Sequence, residues 1–181
     1  MATGTGKTRM AIALMYRALK SKSFRRILFV VDRNSLADQT LDSLDNTELE
    51  GLLKFAETYG VADPTDKVLS DDIRVQVTTI QSMVARVLKG GENRPTPGTF
   101  DLIIVDEAHR GYALDAELTE DELEFRSTAD YLSKYRQVLE YFDAVKVGLT
   151  ATPALQTTQI FGAPVYRYSY RKAVILSLIQ I

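Results

Sequence analysis

The stretch Ala2-Thr-Gly-Thr-Gly-Lys-Thr8, which leads into a helical pattern over Lys7–Lys20, decides the fold class of this chain. Its glycines permit backbone conformations in which successive N–H groups converge on anionic oxygens. Lys7 adds a positive charge for the outer phosphates of a nucleotide, and the Thr8 hydroxyl can ligate Mg²⁺. An ordinary glycine turn before a helix is the alternative, but the full Gly-x-Gly-Lys-Thr string is rarely accidental. The string therefore predicts a phosphate-binding loop, although Met1 stands where the consensus has its first glycine.

Short apolar runs alternate with longer helical patterns along the rest of the chain. The first and third apolar runs are almost continuous, which is typical of parallel strands covered on both faces. The predicted strands are Ile27–Val31, Ile73–Val77, Leu102–Val105 and Val145–Leu149. The predicted helices are Lys7–Lys20, Ser35–Leu44, Ile80–Leu88 and Thr128–Phe142. This alternation predicts an α/β fold built on a doubly wound, mostly parallel sheet.

A second motif, Val105-Asp-Glu-Ala-His109, ends the third apolar run. Carboxylates at the carboxyl edge of a parallel sheet face the same crevice as a phosphate-binding loop. There Asp106 can hold Mg²⁺, and Glu107 can polarise the water that attacks a γ-phosphate. Two acids after a strand can also cap a helix, but the phosphate-binding loop upstream favours the catalytic interpretation. His109 is then placed to relay between the nucleotide and another element.

A third motif, Leu149-Thr-Ala-Thr-Pro153, closes the last predicted strand. Taken alone it predicts a turn rich in Thr and Pro. Because it follows the other two motifs in this order, it is a candidate for coupling the nucleotide to other parts of the protein. The hydroxyls of Thr150 and Thr152 could bridge to His109 or Glu107 and so report the state of the nucleotide.

The composition excludes several classes of protein. The chain has 181 residues, no cysteine and one histidine, so disulfides, thiol catalysis and zinc or iron–sulfur centres are excluded. A formal charge of −2 argues against a polyanion held by bulk charge alone, while a local basic face stays possible. No run approaches the ~20 apolar residues of a membrane span, and no secretory signal opens the sequence. We expect a soluble, cytoplasmic protein that makes no membrane contact.

Together the three motifs resemble the first motor domain of superfamily 2 helicases and translocases with a DEAH box. Two further strings resemble the DNA-contacting motifs of that superfamily, namely Phe29–Gln39 and Val77–Met83. The segments 106–112, 131–144, 148–154 and 160–174 resemble the motor (restriction) subunit of type I restriction–modification enzymes. The resemblance covers nearly the whole chain and implies a RecA-like fold.

The resemblance assigns roles to individual residues. It implies ATP and Mg²⁺ as ligands, with Lys7 and Glu107 catalytic and Thr8 and Asp106 on the metal. The expected DNA contacts are backbone contacts of low sequence specificity, made by Arg33, Thr79 and Gln81. The residues expected to surround the nucleotide phosphates are Thr3, Gly4, Thr5, Gly6, Lys7 and Thr8.

The resemblance also predicts how the chain is organised. Residues 1–167 would be the first RecA-like domain, lacking its leading strand and carrying an acidic and helical insertion at about 113–143. Residues 168–181 would begin the connection to a second motor domain. The expected partners are DNA, the nuclease and second motor domains of a parent chain, and methyltransferase and specificity subunits. No lysine follows an acid by two residues, so the nuclease signature is missing from this sequence.

The predicted function is the ATP-binding half of a DNA translocase in a type I restriction enzyme, coupling ATP hydrolysis to movement along double-stranded DNA. The isolated chain is expected to be inactive. Two alternatives stay open at this point. One is a motor domain of another superfamily 2 enzyme, from type III restriction or repair, and the other is a fragment that never turns over ATP.

Overall fold

The computed structural model describes residues 6–49, 53–66, 68–90, 93–108, 128–151 and 155–167. Five strands form one sheet in which every pairing is parallel. They are β1 (Ile27–Val31), β2 (Val61–Ala62), β3 (Val75–Thr79), β4 (Leu102–Val105) and β5 (Val145–Gly148), and their order across the sheet is β2-β3-β1-β4-β5. The predicted α/β fold with a doubly wound parallel sheet is confirmed.

Helices cover both faces of this sheet. They are α1 (Lys7–Lys20), α2 (Asn34–Asp45), α3 (Phe55–Tyr59), α4 (Ile80–Leu88), α5 (Thr128–Tyr141) and α6 (Leu155–Phe161). Apolar side chains of α1, α2 and α3 bury one face, on which Phe29 and Ile104 lie. Side chains of α4 and α5 bury the other, on which Val30 and Ile103 lie. All of β1 is buried, which is why its sequence is apolar without alternation.

The second predicted strand lies two residues further along the chain than expected. Ile73 and Arg74 belong to the turn before the strand, where the Ile73 amide donates to the Ser70 carbonyl (3.2 Å) and the Arg74 amide to that of Tyr59 (2.9 Å). The strand instead continues through Thr78 and Thr79, both buried. Their polar side chains concealed this continuation from a prediction based on apolar runs.

Three elements were not predicted at all. β2 has two residues, α3 five and α6 seven, which is too short for a recognisable period. β2 starts directly after Gly60, whose positive φ of 61° and close approach to the Asp72 carbonyl leave no room for a side chain. Both α3 and β2 therefore depend on tertiary context that local patterns do not carry.

The helix α5 belongs to the core of the domain. The sequence analysis grouped it with the acidic insertion, but Tyr135, Val138 and Leu139 are buried with α4 against the sheet. The acidic run itself lies within 109–127, outside the described residues. In the parts of the chain that the structure describes, no helix is both long and apolar enough to cross a membrane.

Candidate nucleotide and DNA site

The start of α1 presents the end of the predicted phosphate-binding loop. Gly6 precedes the helix with φ 81° and ψ 32°, a left-handed conformation that glycine adopts without steric cost. Lys7 is the first helical residue and Thr8 the second, so both lie in the turn whose N–H groups favour an anion. Thr3, Gly4 and Thr5 lie outside the described residues.

Lys7 and Glu107 are brought together from positions 100 residues apart in the sequence. The Lys7 Nζ donates to Glu107 Oε1 in a close, charged hydrogen bond. The lysine side chain is only 9% exposed and the glutamate 22%, so solvent screens this pair less than a surface pair. The two residues predicted to act on one nucleotide are therefore in direct contact.

Asp106 lies beside this pair at the end of β4. Its amide donates to the Val30 carbonyl of β1 (2.9 Å), and its carboxylate accepts the amide of Glu107 (2.9 Å). Burial raises the pKa of Asp106 above its ordinary value, and the negative charges of Glu107 and Asp32 raise it further. The Glu107 amide and the Lys7 ammonium act against these effects. Asp106 is thus a carboxylate whose negative charge an added cation would stabilise.

The turn that carries Asp106 and Glu107 is held by its neighbour β5. The Ala108 amide donates to the Leu149 carbonyl (2.9 Å), and the Leu149 amide donates to the Val105 carbonyl (2.8 Å). Glu107 has φ 46°, which is costly for a residue with a side chain and persists only when surrounding contacts impose it. Glu107 thus combines an uncommon backbone conformation with the contact to Lys7.

Thr150 directly follows Leu149 and so lies at the same edge of the sheet, next to the turn after β4. This is where the sequence motif placed it. The other two residues assigned to coupling, His109 and Thr152, lie outside the described residues, and their roles stay predictions.

The three residues predicted to contact DNA lie over the neighbouring strands β1 and β3. Arg33 follows β1, Thr79 ends β3 opposite Val31, and Gln81 lies in the first turn of α4. Arg33 keeps 41% of its side chain exposed. The amide group of Gln81 is buried and has no hydrogen-bond partner among the described residues. The DNA-side residues and the nucleotide-side residues therefore share one edge of the sheet.

Thr79 has a structural role that the sequence analysis missed. Its hydroxyl accepts the Ser82 amide (3.3 Å) and thereby caps α4, and the residue is 4% exposed. The Thr79 hydroxyl already bonds the helix end and the residue is almost fully buried. Its side chain therefore offers almost no surface for the predicted contact with DNA. The side chain of Arg33 is 41% exposed, so Arg33 carries the argument for DNA on this side, whereas the buried amide of Gln81 is no more accessible than the Thr79 hydroxyl.

Asp32 is the polar residue at this edge that the sequence analysis overlooked. Its side chain is 5% exposed and lies 3.4 Å from Arg33 Nε, measured from Oδ2. An acid immediately after the most apolar run of the chain was the available signal, because the same signal identified Asp106 after β4.

The residues present fit a magnesium ion bound together with a nucleotide. Thr8 offers a hydroxyl and Asp106 a carboxylate, which are hard oxygen donors. Within the described residues no three acidic or histidine side chains gather into a metal site. Mg²⁺ commonly takes one or two protein ligands together with phosphate oxygens and water, and Thr8 and Asp106 suit that pattern.

Comparisons with known proteins identify relatives of this chain. The chain is 55% identical over 175 residues to the endonuclease subunit of the type I restriction enzyme EcoKI of Escherichia coli K12, an alignment covering 97% of this chain and 15% of that protein. It is 34% identical over 182 residues to the corresponding EcoAI subunit of Escherichia coli, covering 96% of this chain and 19% of that protein. The chain thus spans less than a fifth of the length of these relatives. The resemblance to type I motor subunits is confirmed.

A solved structure shares the fold. A nuclease-deletion mutant of the type ISP restriction–modification enzyme LlaGI, determined with a DNA substrate mimic, superimposes with a TM-score of 0.65 at 21% identity, covering 98% of this chain and 18% of that one. The family model described as "Type III restriction enzyme, res subunit" matches residues 1–155. The chain therefore belongs to this family of helicase-like restriction-enzyme motor domains.

Proposed function

We propose that this chain is the ATP-binding first motor domain of a type I restriction enzyme that translocates double-stranded DNA. The observation that carries the proposal is the contact of Lys7 with Glu107, beside Asp106, at the carboxyl edge of the parallel sheet. Ligands of open α/β sheets bind at this edge. The identity of 55% with a type I endonuclease subunit favours this enzyme class over a type III or repair motor.

Each residue of the nucleotide side has a distinct task in this proposal. Lys7 binds the β- and γ-phosphate oxygens of ATP, together with the N–H groups that lead into α1. Thr8 and Asp106 would hold Mg²⁺, which supplies positive charge to the phosphates when bound. Glu107 orients a water molecule toward the γ-phosphate and accepts its proton. His109, Thr150 and Thr152 would sense whether the γ-phosphate is present.

Double-stranded DNA would lie across the ends of β1 and β3. The partly exposed side chain of Arg33 suits a phosphate. The amide of Gln81 is buried, so it would reach DNA only after its side chain turned toward the surface. Contacts of this kind position a duplex without reading its bases. Movement along any sequence requires contacts of that kind. The resemblance to type I motor subunits implies, as protein partners, nuclease and second motor domains and methyltransferase and specificity subunits.

Titration of the purified chain with a fluorescent ATP analogue tests the nucleotide half of the proposal. Lys7→Ala should weaken binding by about tenfold or more, since a hydrogen bond to a charged group contributes roughly 1.5–3 kcal/mol. Lys89→Ala removes an exposed lysine at the end of α4 and is the matched control. Equal affinities for both variants and the unsubstituted chain would contradict the assignment.

Titration with a short DNA duplex tests the other half. Arg33→Gln should weaken duplex binding and reduce its salt dependence, because one fewer phosphate is neutralised. Arg17→Gln, which removes an exposed arginine of α1, is the control. A duplex affinity that is equally insensitive to both changes would count against DNA at this edge.

A further inference from the structure

The buried carboxylate of Asp32 lies between the DNA side and the nucleotide side of the edge. It follows β1, the strand that pairs with β3 on one side and with β4 on the other. Its Oδ2 lies 3.4 Å from Arg33 Nε, and while Arg33 is 41% exposed the Asp32 side chain is 5% exposed. Asp106 directly follows the adjacent strand β4, and its amide donates to the carbonyl of Val30, two residues before Asp32 (2.9 Å).

From this arrangement we propose that Asp32 is a positioning residue that couples DNA contact by Arg33 to cation binding at Asp106. The inference rests on the proposed function, because it takes DNA and Mg²⁺ as the ligands of the two sides. When no duplex is bound, the Arg33 guanidinium compensates part of the Asp32 charge. A DNA phosphate competes with Asp32 for that guanidinium, and the negative charge of Asp32 then acts more strongly on its surroundings.

The sign of the coupling follows from the charges. A stronger negative potential beside Asp106 favours a divalent cation there, so duplex DNA should strengthen the binding of Mg²⁺ with nucleotide. Linkage requires the reciprocal effect, in which Mg²⁺ strengthens binding of the duplex by the same factor. Because Asp32 is buried, its interactions with Arg33 and Asp106 are screened less than those between surface charges.

Substitutions at the two residues are expected to act in opposite directions. Asp32→Asn removes the negative charge, so Mg²⁺ should bind more weakly and the effect of DNA should disappear. Arg33→Gln removes the compensating cation, so Mg²⁺ should bind more tightly without DNA, and adding DNA should change it little. A purely structural role for this pair would weaken Mg²⁺ binding in both variants.

The experiment measures the Mg²⁺ concentration at half-saturation for binding of a fluorescent, slowly hydrolysed ATP analogue, with and without a saturating DNA duplex. It uses the 181-residue chain and needs no catalytic turnover. We expect the duplex to lower that concentration about fivefold or more, the lower range of measured coupling between sites. The ratio of this concentration without the duplex to that with the duplex should fall to about one in Asp32→Asn. Asp32→Glu keeps the charge and should restore part of the effect of the duplex on this ratio. Asp42→Asn makes the same charge change on the exposed face of α2 and should leave the ratio unchanged.

The outcomes separate this inference from the proposed function. If nucleotide and duplex each bind but the ratio for the unsubstituted chain is one, the coupling is wrong and the proposed function survives. If neither ligand binds, the proposed function fails as well. Should Asp32→Asn not fold, Arg33→Gln decides alone, because weaker Mg²⁺ binding in that variant without DNA would overturn the coupling.

Discussion

Lys7 and Glu107 form one ion pair in the structure, yet their proposed roles differ, and two substitutions distinguish them. Lys7→Ala should weaken ATP binding and slow hydrolysis, because the ammonium faces the phosphates in both the ground state and the transition state. Glu107→Gln keeps the size of the side chain but loses the carboxylate that activates water. It should leave ATP binding intact and lower turnover by about 10²–10⁴, the range for a general base.

The measurement requires an active motor, so we would place this chain in the EcoKI endonuclease subunit in exchange for the 175 residues that it matches. ATP affinity and phosphate release are then compared for both variants and the unsubstituted hybrid. Duplex binding measured without nucleotide serves as the control, since Arg33 lies apart from the contact of Lys7 with Glu107. Loss of ATP binding in Glu107→Gln, with normal hydrolysis per bound ATP, would make Glu107 a binding residue.

Asp106 provides a prediction for stability against pH. Burial raises its pKa in the folded chain above the ordinary value near 3.8, so the ionised form costs folding free energy at neutral pH. That cost is present at pH values above the raised pKa. It disappears as the pH falls through the raised pKa, because the folded chain takes up the proton at a higher pH than the unfolded chain does. Asp106→Asn should therefore stabilise the chain at pH 7 in the presence of EDTA, and this gain should shrink toward pH 4.

Urea unfolding of the chain and of Asp106→Asn at both pH values checks this prediction. Asn retains an oxygen that can accept the Glu107 amide, so the turn is expected to survive the substitution. If Asp106→Asn were less stable than the unsubstituted chain at pH 7, and this loss shrank toward pH 4, the ionised carboxylate would stabilise the fold and the prediction would be wrong.

At the scale of the elements, Gly148 at the end of β5 sets how closely α6 and the turn after β4 approach the sheet. A Cβ built on Gly148 would lie 3.0 Å from the ring of Phe161 and 3.1 Å from the Cβ of Ala108. Gly148→Ala should cost about 1–3 kcal/mol, the usual cost of overpacking. Because Ala108 adjoins Glu107, the same substitution should also weaken nucleotide binding.

Gly98→Ala is the matched comparison for that prediction. Gly98 lies in an exposed turn, and a Cβ there meets nothing within 4 Å. We expect its unfolding free energy and nucleotide affinity to stay within experimental error of the unsubstituted chain. If the two alanine variants were equally stable in urea, the close approach at Gly148 would be without energetic consequence.

The sequence predicted these elements unevenly, for physical reasons. The buried strands β1 and β4 and the amphipathic helices α1 and α4 agree with their predicted limits, because burial on both faces or on one leaves a clear apolar pattern. The elements β2, α3 and α6 are too short to show such a pattern, and β3 buries two threonines. Predicting them requires knowledge of which neighbours cover them.

The site was predictable in its location and less so in its contacts. Each motif directly follows a predicted strand or opens a predicted helix, and this order places Lys7, Asp106 and Thr150 at one edge of a parallel sheet. The left-handed backbone of Glu107, the commitment of Thr79 to a helix cap and the position of Asp32 between two sites depend on tertiary packing. Spacing in the sequence carries no information on such contacts.

At the scale of the whole molecule, one sheet edge receives both proposed ligands. The nucleotide side is formed by α1, β4 and β5, and the DNA side by the ends of β1 and β3. β1 and β4 are adjacent and fully buried, so close-packed core joins the two proposed sides. This arrangement suits a motor, in which the state of the nucleotide must change the grip on DNA.

The 181-residue chain should nevertheless hydrolyse ATP very slowly when it is purified alone. It spans only 15% of its EcoKI relative, and the resemblance to superfamily 2 motors implies that a second motor domain supplies an arginine to the transition state. Such an arginine contributes about 10³–10⁵ to the rate of phosphoryl transfer. Phosphate release with and without duplex DNA is compared between the isolated chain and the EcoKI hybrid, with the Lys7→Ala hybrid as the background. If the isolated chain hydrolysed ATP as fast as the hybrid, and DNA stimulated that hydrolysis, the residues of this chain would suffice for catalysis. The requirement for a second motor domain would then be wrong.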